Sequence, residues 1–131
     1  MTIDIAPVPA SRPRVTRWST YFPKKYTKFR NDLAVILSDK GYEKLEGLLY
    51  AQLDFYMQIP KSWSKKKKLA KEGRYADNNV DVDNLVKAVL DGCEGVFYEN
   101  DNQIAMIRAR KFYSINGHIQ FELSPIVEEA A

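Results

Sequence analysis

From Leu49 to Ile59 every second side chain is apolar: Leu49, Ala51, Leu53, Phe55, Met57 and Ile59 alternate with Tyr50, Gln52, Asp54, Tyr56 and Gln58. Successive side chains of an extended chain point to opposite faces, so this spacing predicts a strand with one fully apolar face. Pro60 ends it, because proline has no N–H for the ladder. A strand this long and one-sided needs a sheet around it and something apolar to lie against.

The flanking segments supply both. Ile3 and Ile5 flank Asp4 in a short opening strand, and Pro7, Pro9 and Pro13 then break regular structure. Ser11 to Lys25 reads as a long basic loop carrying Trp18, Tyr21 and Phe22, rings expected to be buried in the core or an interface. Phe29, Leu33, Ile36 and Leu37 recur at helical spacing, which predicts a first helix over about residues 26–40 with Gly41 as its stop. A second helix is predicted over about 83–94. Leu85, Val86, Val89, Leu90 and Cys93 form its apolar stripe, with Asn84, Lys87, Ala88 and Asp91 opposite. Asp83 or Asp81 can cap its start, and Gly95 follows its end.

Residues 104–113 read as a strand, Asn116-Gly117 as a hairpin turn, and Ile119, Phe121 and Leu123 as the apolar face of a last strand, with His118 toward solvent. Residues 60–80 show no periodicity and read as a mobile loop, and residues 125–131 as a frayed tail. The expectation is a single α/β domain over residues 1–131. Its small mixed β-sheet has about four strands with two helices packed on it, in the order β-α-β-α-β-β.

Charge is segregated along the chain. Residues 12–30 carry Arg12, Arg14, Arg17, Lys24, Lys25, Lys28 and Arg30 with no acid. Residues 61–74 carry Lys61, Lys65, Lys66, Lys67, Lys68, Lys71 and Arg74 against Glu72 alone. Residues 75–103 reverse the sign, with seven acids and Lys87 as the one base. A polyanion feels such local fields more than the net charge of +3. Several functions are disfavoured: one cysteine and one histidine cannot build an ordinary structural zinc site. No apolar run is long enough to cross a membrane, and the opening residues lack a signal-peptide pattern, so a cytoplasmic location is expected.

The acids converge on the start of the second helix. Asp81 and Asp83 are two apart and share a side in an extended lead-in, and Lys87 lies one turn beyond Asp83. The helix is about 18 Å long, and the residues from Gly95 to Asp101 span at most roughly 23 to 25 Å, so Asp101 can reach back to the Asp81 end with little slack. Carboxylates this dense repel one another unless a cation sits between them, and Mg2+ is the usual cation where phosphates are the substrate. Each piece also has a plainer account: Asp83 as a helix cap, Asp83 and Lys87 as an ion pair, Asp101 as a turn residue. An EF-hand reading fails, because Val82 and Ala88 stand where glycine and glutamate are required.

The string Asp81-x-Asp83-Asn84-Leu85-x-Lys87-x-x-x-Asp91, followed by Asn100-Asp101-x-Gln103-Ile104, resembles the RusA family of Holliday-junction resolvases. The entry segment Arg12-Pro13-Arg14 and the basic, aromatic stretch to Tyr26 are similar to the family as well, and the likeness runs from about Pro7 to Leu123. The resemblance implies a Mg2+-dependent endodeoxyribonuclease, with Mn2+ as a possible substitute, that acts as a homodimer on four-way branched DNA. It implies Asp81, Asp83 and Asp101 as metal ligands and Lys87 as the essential lysine. Asn84 and Asp91 match recurring positions and are given supporting roles. Arg12, Arg14, Arg17, Lys24, Lys25 and Lys28 are the candidate DNA contacts, joined by Lys65, Lys66, Lys67 and Lys68 on a long insert. Two rivals stand beside this reading: a non-catalytic nucleic-acid-binding module, which leaves the acids unexplained, and a metal-dependent nuclease acting on flaps or other branched DNA.

Overall fold

In the computed structural model the strand Leu49–Gln58 (β4) is the centre of the molecule; residues 1–39 and 41–128 are described. Leu49, Ala51, Leu53, Phe55 and Met57 are buried, as the alternation requires. The helix Lys24–Ser38 (α1) contributes Phe29, Leu33 and Leu37 to the same core, and the helix Val82–Cys93 (α3) contributes Leu85, Val89 and Cys93. Ala88 belongs to this buried face too, which corrects its placement on the polar side. The expected end of α1 at Lys40, and residues 129–131 of the expected tail, lie outside the described residues; the tail does not begin at 125, because Pro125 belongs to the last strand and the Ile126 N–H donates to the Leu48 carbonyl at 2.9 Å.

Four strands form the main sheet, in the order β1-β6-β4-β5. Here β1 is Thr2–Ile3, β5 is Ile104–Ser114 and β6 is His118–Pro125. β5 runs parallel to β4, with Leu53 opposite Ala109, and β6 runs antiparallel on the other side, with Leu53 opposite Phe121. Parallel neighbours need a crossover, and α3 lies on the one between β4 and β5. The sheet is mixed and four-stranded as expected.

The Asn116-Gly117 turn does not join neighbours. β5 and β6 lie on opposite sides of β4, so the chain passes over the end of β4. The Gln58 side chain bridges this passage: its Oε1 accepts from the Gly117 N–H at 2.8 Å and its Nε2 donates to the Ile115 carbonyl at 2.6 Å. Gly117 must be glycine here, because a Cβ would stand 2.9 Å from the Ala6 Cβ and 3.2 Å from that of Gln58.

Two segments read as loops contain regular structure. Residues 14–21 form a small hairpin of Arg14–Val15 (β2) and Thr20–Tyr21 (β3), whose turn is closed by the Thr16 hydroxyl accepting from the Ser19 N–H at 3.0 Å. Trp18 at its tip is 85% exposed and Tyr21 is exposed, so neither ring enters the core; Phe22 is half-buried. The expected loop 60–80 holds a helix, Lys65–Lys71 (α2), capped by the Ser64 hydroxyl, which accepts from the Lys67 N–H at 3.1 Å. It has no apolar stripe to betray it, and it buries no residue. Residues 73–76 then run along the outer edge of β5, with Gly73 N–H to the Tyr113 carbonyl, Tyr113 N–H to the Arg74 carbonyl and Ala76 N–H to the Lys111 carbonyl, each 2.9 Å. The element order is therefore β-β-β-α-β-α-α-β-β, with three helices.

Candidate active site

Asp81 occupies the N-cap position of α3, although its side chain makes no capping bond, and Asp83 lies in the first turn. The Asp83 Oδ1 accepts from the Asn84 N–H at 3.0 Å. The approach to Asp81 is pinned from β5: the Lys111 ammonium donates to the carbonyl of Asn78 at 2.8 Å, its Oδ1 at 2.7 Å and the Val80 carbonyl at 2.7 Å. Asp77 is held by the Tyr113 hydroxyl at 2.6 Å and by Lys71 at 3.5 Å. Sequence reasoning gave Lys111 no role; its partners are more than thirty residues away in the chain.

A cleft of about 520 Å3 opens beside the N-terminal half of α3. Its walls include Asp83, Asn84, Lys87 and Asp91 of α3, Tyr26 and Arg30 of α1, Phe22, and Arg12. The segment bearing Arg12 is tethered to α3 through the Ala10 N–H, which donates to the Asn84 carbonyl at 2.9 Å. The main chain of Asn84 thus joins the two walls.

Asp101 does not return to the Asp81 end as expected; it lies toward the other end of the helix, where its charge acts on Asp91 and Glu94. Gly95 turns the chain at φ 82°, its N–H donates to the Tyr98 carbonyl at 2.7 Å, and the buried Tyr98 hydroxyl donates to the Leu90 carbonyl at 2.6 Å. Asp101 then opens a short 3-10 turn, Asp101–Gln103. Gln103 locks that turn: its Oε1 accepts from the N–H groups of Glu99 and Asn100 at 3.0 and 3.1 Å, and its Nε2 donates to the carbonyls of Leu45 and Gly47 at 3.1 and 3.0 Å. The glutamine of the Asn100-Asp101-x-Gln103 string is thus a positioning residue.

The charge of Asp101 is felt by Asp91 and Glu94. Burial, then the nearby Asp101, raise the Asp91 carboxyl above its ordinary range. Asp101 is also the main cause of the upward shift at Glu94. Asp91 therefore belongs to both groups of acids, since it lines the cleft with Asp83 and Lys87 and senses Asp101. Among the described residues, no three His, Cys, Asp or Glu side chains are gathered so as to hold a metal ion. The Oδ1 of Asp101 is buried and has no hydrogen-bond partner. A buried carboxylate oxygen without a donor is costly, and a bound cation, or a proton shared with the neighbouring Glu94 carboxyl, would satisfy it. The surrounding donors are hard carboxylate oxygens, the set that Mg2+ takes.

The sequence profile described as Endodeoxyribonuclease RusA matches residues 4–124. The chain belongs to the RusA endodeoxyribonuclease family. That membership implies endodeoxyribonuclease activity, so the cleft and acids lie in a protein that cuts phosphodiester bonds within DNA. The chain is also 33% identical over 97 residues to the uncharacterized protein YqaN of Bacillus subtilis (strain 168), an alignment covering 70% of this chain and 68% of the relative.

The basic candidates lie around this site unevenly. Arg12 enters the cleft. Arg14 and Arg17 ride on the small hairpin, with Arg17 stacked over Trp18 at 5.1 Å. Lys24, Lys25 and Lys28 lie on exposed positions of α1, where Lys28 pairs with Asp32 at 2.6 Å. Lys65 to Lys68 are consecutive on α2, so they fan around the helix at about 100° per residue rather than lining one face. Lys67 sits 4.1 Å over the Trp63 ring. His118 is half-buried and stacks on Tyr56 at 4.3 Å. No helix of the described residues is long and apolar enough to cross a membrane.

Proposed function

We propose that this protein is a Mg2+-dependent, structure-selective endonuclease that resolves four-way DNA junctions by paired symmetric nicks in recombination and repair, in the cytoplasm of a bacterial or phage-infected cell. The observation that carries the metal reading is the buried, unpartnered Oδ1 of Asp101 beside Asp91 and Glu94. The choice of four-way DNA rests on the family likeness. Asp81 and Asp83 at the start of α3 and Asp101 at its far end are the carboxylates that would hold metal, as two groups with Asp91 between them rather than as one gathered ligand set. When bound, Mg2+ acidifies water and neutralises charge on phosphate oxygens.

The chain's own groups do the rest. Lys87 stabilises negative charge developing on the phosphate from the exposed face of α3. Asn84 ties the Arg12 segment to the helix through its carbonyl. Arg12, Arg14, Arg17, Lys24, Lys25 and Lys28 grip the backbone, and Lys65 to Lys68 extend the grip from α2. These contacts give affinity that falls steeply with salt and carries no sequence information. Two nicks related by symmetry call for two sites about a two-fold axis, so the working unit is a homodimer.

The test is cleavage of a synthetic mobile four-way junction in Mg2+ or EDTA by wild type, Asp83→Asn and Asp101→Asn. Paired nicks that need Mg2+ and vanish in both variants support the reading. Preferential cutting of flaps would replace the substrate. Tight junction binding with no metal-dependent nicking would leave a binding protein on a nuclease fold.

A further inference from the structure

Arg30 is the one arginine of α1, and no role follows for it from the acidic string. It stands four residues after Tyr26, one turn along the same helix face. Its guanidinium lies 5.7 Å over the Tyr26 ring and 5.0 Å over the Phe22 ring, and those two rings meet edge to face at 5.6 Å. Tyr26 is buried in the core, so the aromatic seat is anchored. Among the described residues Arg30 makes no ion pair and no side-chain hydrogen bond; its hold is the ring faces alone. The planar fork of this exposed residue therefore has its full set of N–H donors available over the two rings.

That place is the α1 wall of the cleft, which Lys87 and Asp91 of α3 also line, and the Arg30 charge acts on the Asp91 carboxyl. The cleft presents Arg12, Arg30 and Lys87 against Asp83 and Asp91, an excess of positive charge before any cation is added. Three cations converging on a 520 Å3 space suit a ligand anion. A guanidinium preorganised on aromatic rings is matched to the paired oxygens of a phosphodiester. Arg17 on the hairpin is also ring-stacked, but it lies outside the walls of this cleft.

We infer that Arg30 is a catalytic residue which clamps the non-bridging oxygens of the phosphodiester being cut, across the cleft from Lys87. The inference rests on the nuclease reading above. Its donors are aimed before the substrate arrives, so they act most on the charge that builds as the bond breaks. Losing them should slow the cut more than it weakens binding.

The experiment compares wild type, Arg30→Met and Arg30→Lys on a labelled four-way junction. Methionine keeps the stem over the rings and suits a helix, and thermal melts check that each variant is folded. Two quantities are read: the single-turnover cleavage rate at saturating enzyme in Mg2+, and the junction Kd in EDTA across a salt series. The expected result is a rate loss of about 10²-fold in Arg30→Met, with Kd within about threefold and partial recovery in Arg30→Lys. A Kd raised about tenfold, a shallower salt slope and an unchanged rate would make Arg30 an ordinary backbone contact and overturn the inference. Unchanged rate and Kd would overturn it as well. If wild type itself makes no metal-dependent cut in branched DNA, the nuclease reading falls first and takes the clamp with it.

Discussion

The Lys111 ammonium, on β5, donates to the Val80 carbonyl at 2.7 Å, one residue before Asp81. The acidic helix therefore begins where a lysine of the sheet has already fixed the backbone. Lys111→Met would leave three acceptors of this half-buried site without their charged donor. A loss of about 2–3 kcal/mol in chemical denaturation is expected. At a temperature where the variant is still folded, DNA cleavage should also fall at least about tenfold, because Asp81 loses its approach. Full activity in a folded variant would show that Asp81 is positioned by other bonds.

Gln103 serves the opposite end of the helix. Gln103→Ala removes four hydrogen bonds that close the Asp101 turn onto Leu45 and Gly47, and should cost about 2 kcal/mol. Hydrogen exchange at the Asn100 amide should accelerate in step with the loss of cleavage. Exchange that stays slow would mean the turn holds without its glutamine.

Gly117→Ala tests the passage of the chain over β4. The added methyl would meet the Ala6 Cβ at 2.9 Å, and one of the two must move. The expected penalty is about 1–3 kcal/mol in a thermal or urea melt. Gly117 does not line the cleft, so cleavage by the folded variant should be unchanged.

Acid stability should depend on Asp77. The Tyr113 hydroxyl, and then Lys71, hold its carboxyl below the ordinary range. Below the ordinary carboxylate value of about 3.9 the unfolded chain binds the proton more readily than the folded one. The stabilisation is therefore present at neutral pH and is lost as pH falls through the depressed native value. Melting temperatures of wild type and Asp77→Asn should differ at pH 7 and converge as pH falls below the ordinary carboxylate range; a constant gap would place the effect elsewhere.

Cys93 reports opening of the core. It is fully buried, and burial, with Asp101 nearby, pushes its thiol up to about 12. Thiol reagents at pH 8 should therefore label it only through unfolding, at a rate that follows denaturant stability. Fast labelling of the native protein would reveal local opening at the end of α3.

Much of this was legible in the sequence where a period or a spacing carried it. The alternation from Leu49 to Ile59 gave the central strand, and the stripe from Leu85 to Cys93 gave α3, because burial on one face leaves a repeat. α2 escaped because it buries nothing, and its Leu69 is 65% exposed. The turn at Asn116-Gly117 misled because the same residues suit a hairpin; only the insertion of β4 between β5 and β6, sealed by Gln58, makes it a passage. The acidic string and Lys87 stand together in sequence and were found there. Lys111 binds Asn78 and Val80, more than thirty residues away, and Gln103 reaches Leu45 and Gly47, and pairings across such distances leave no local spacing to read.

The position of β6 bears on how the protein is made. It is the final strand of the chain, yet it lies inside the sheet, between β1 and β4, and the N-terminal ammonium of Met1 closes on the Phe121 carbonyl at 2.8 Å. Every acid of the site leaves the ribosome before the strand that completes the sheet beneath it. Until residue 118 is available, β1 has no neighbour and β4 has one bare edge, so completion of the sheet during synthesis must wait for β6. A nascent chain that already carries its acidic string is thereby held unfinished until β6 has emerged.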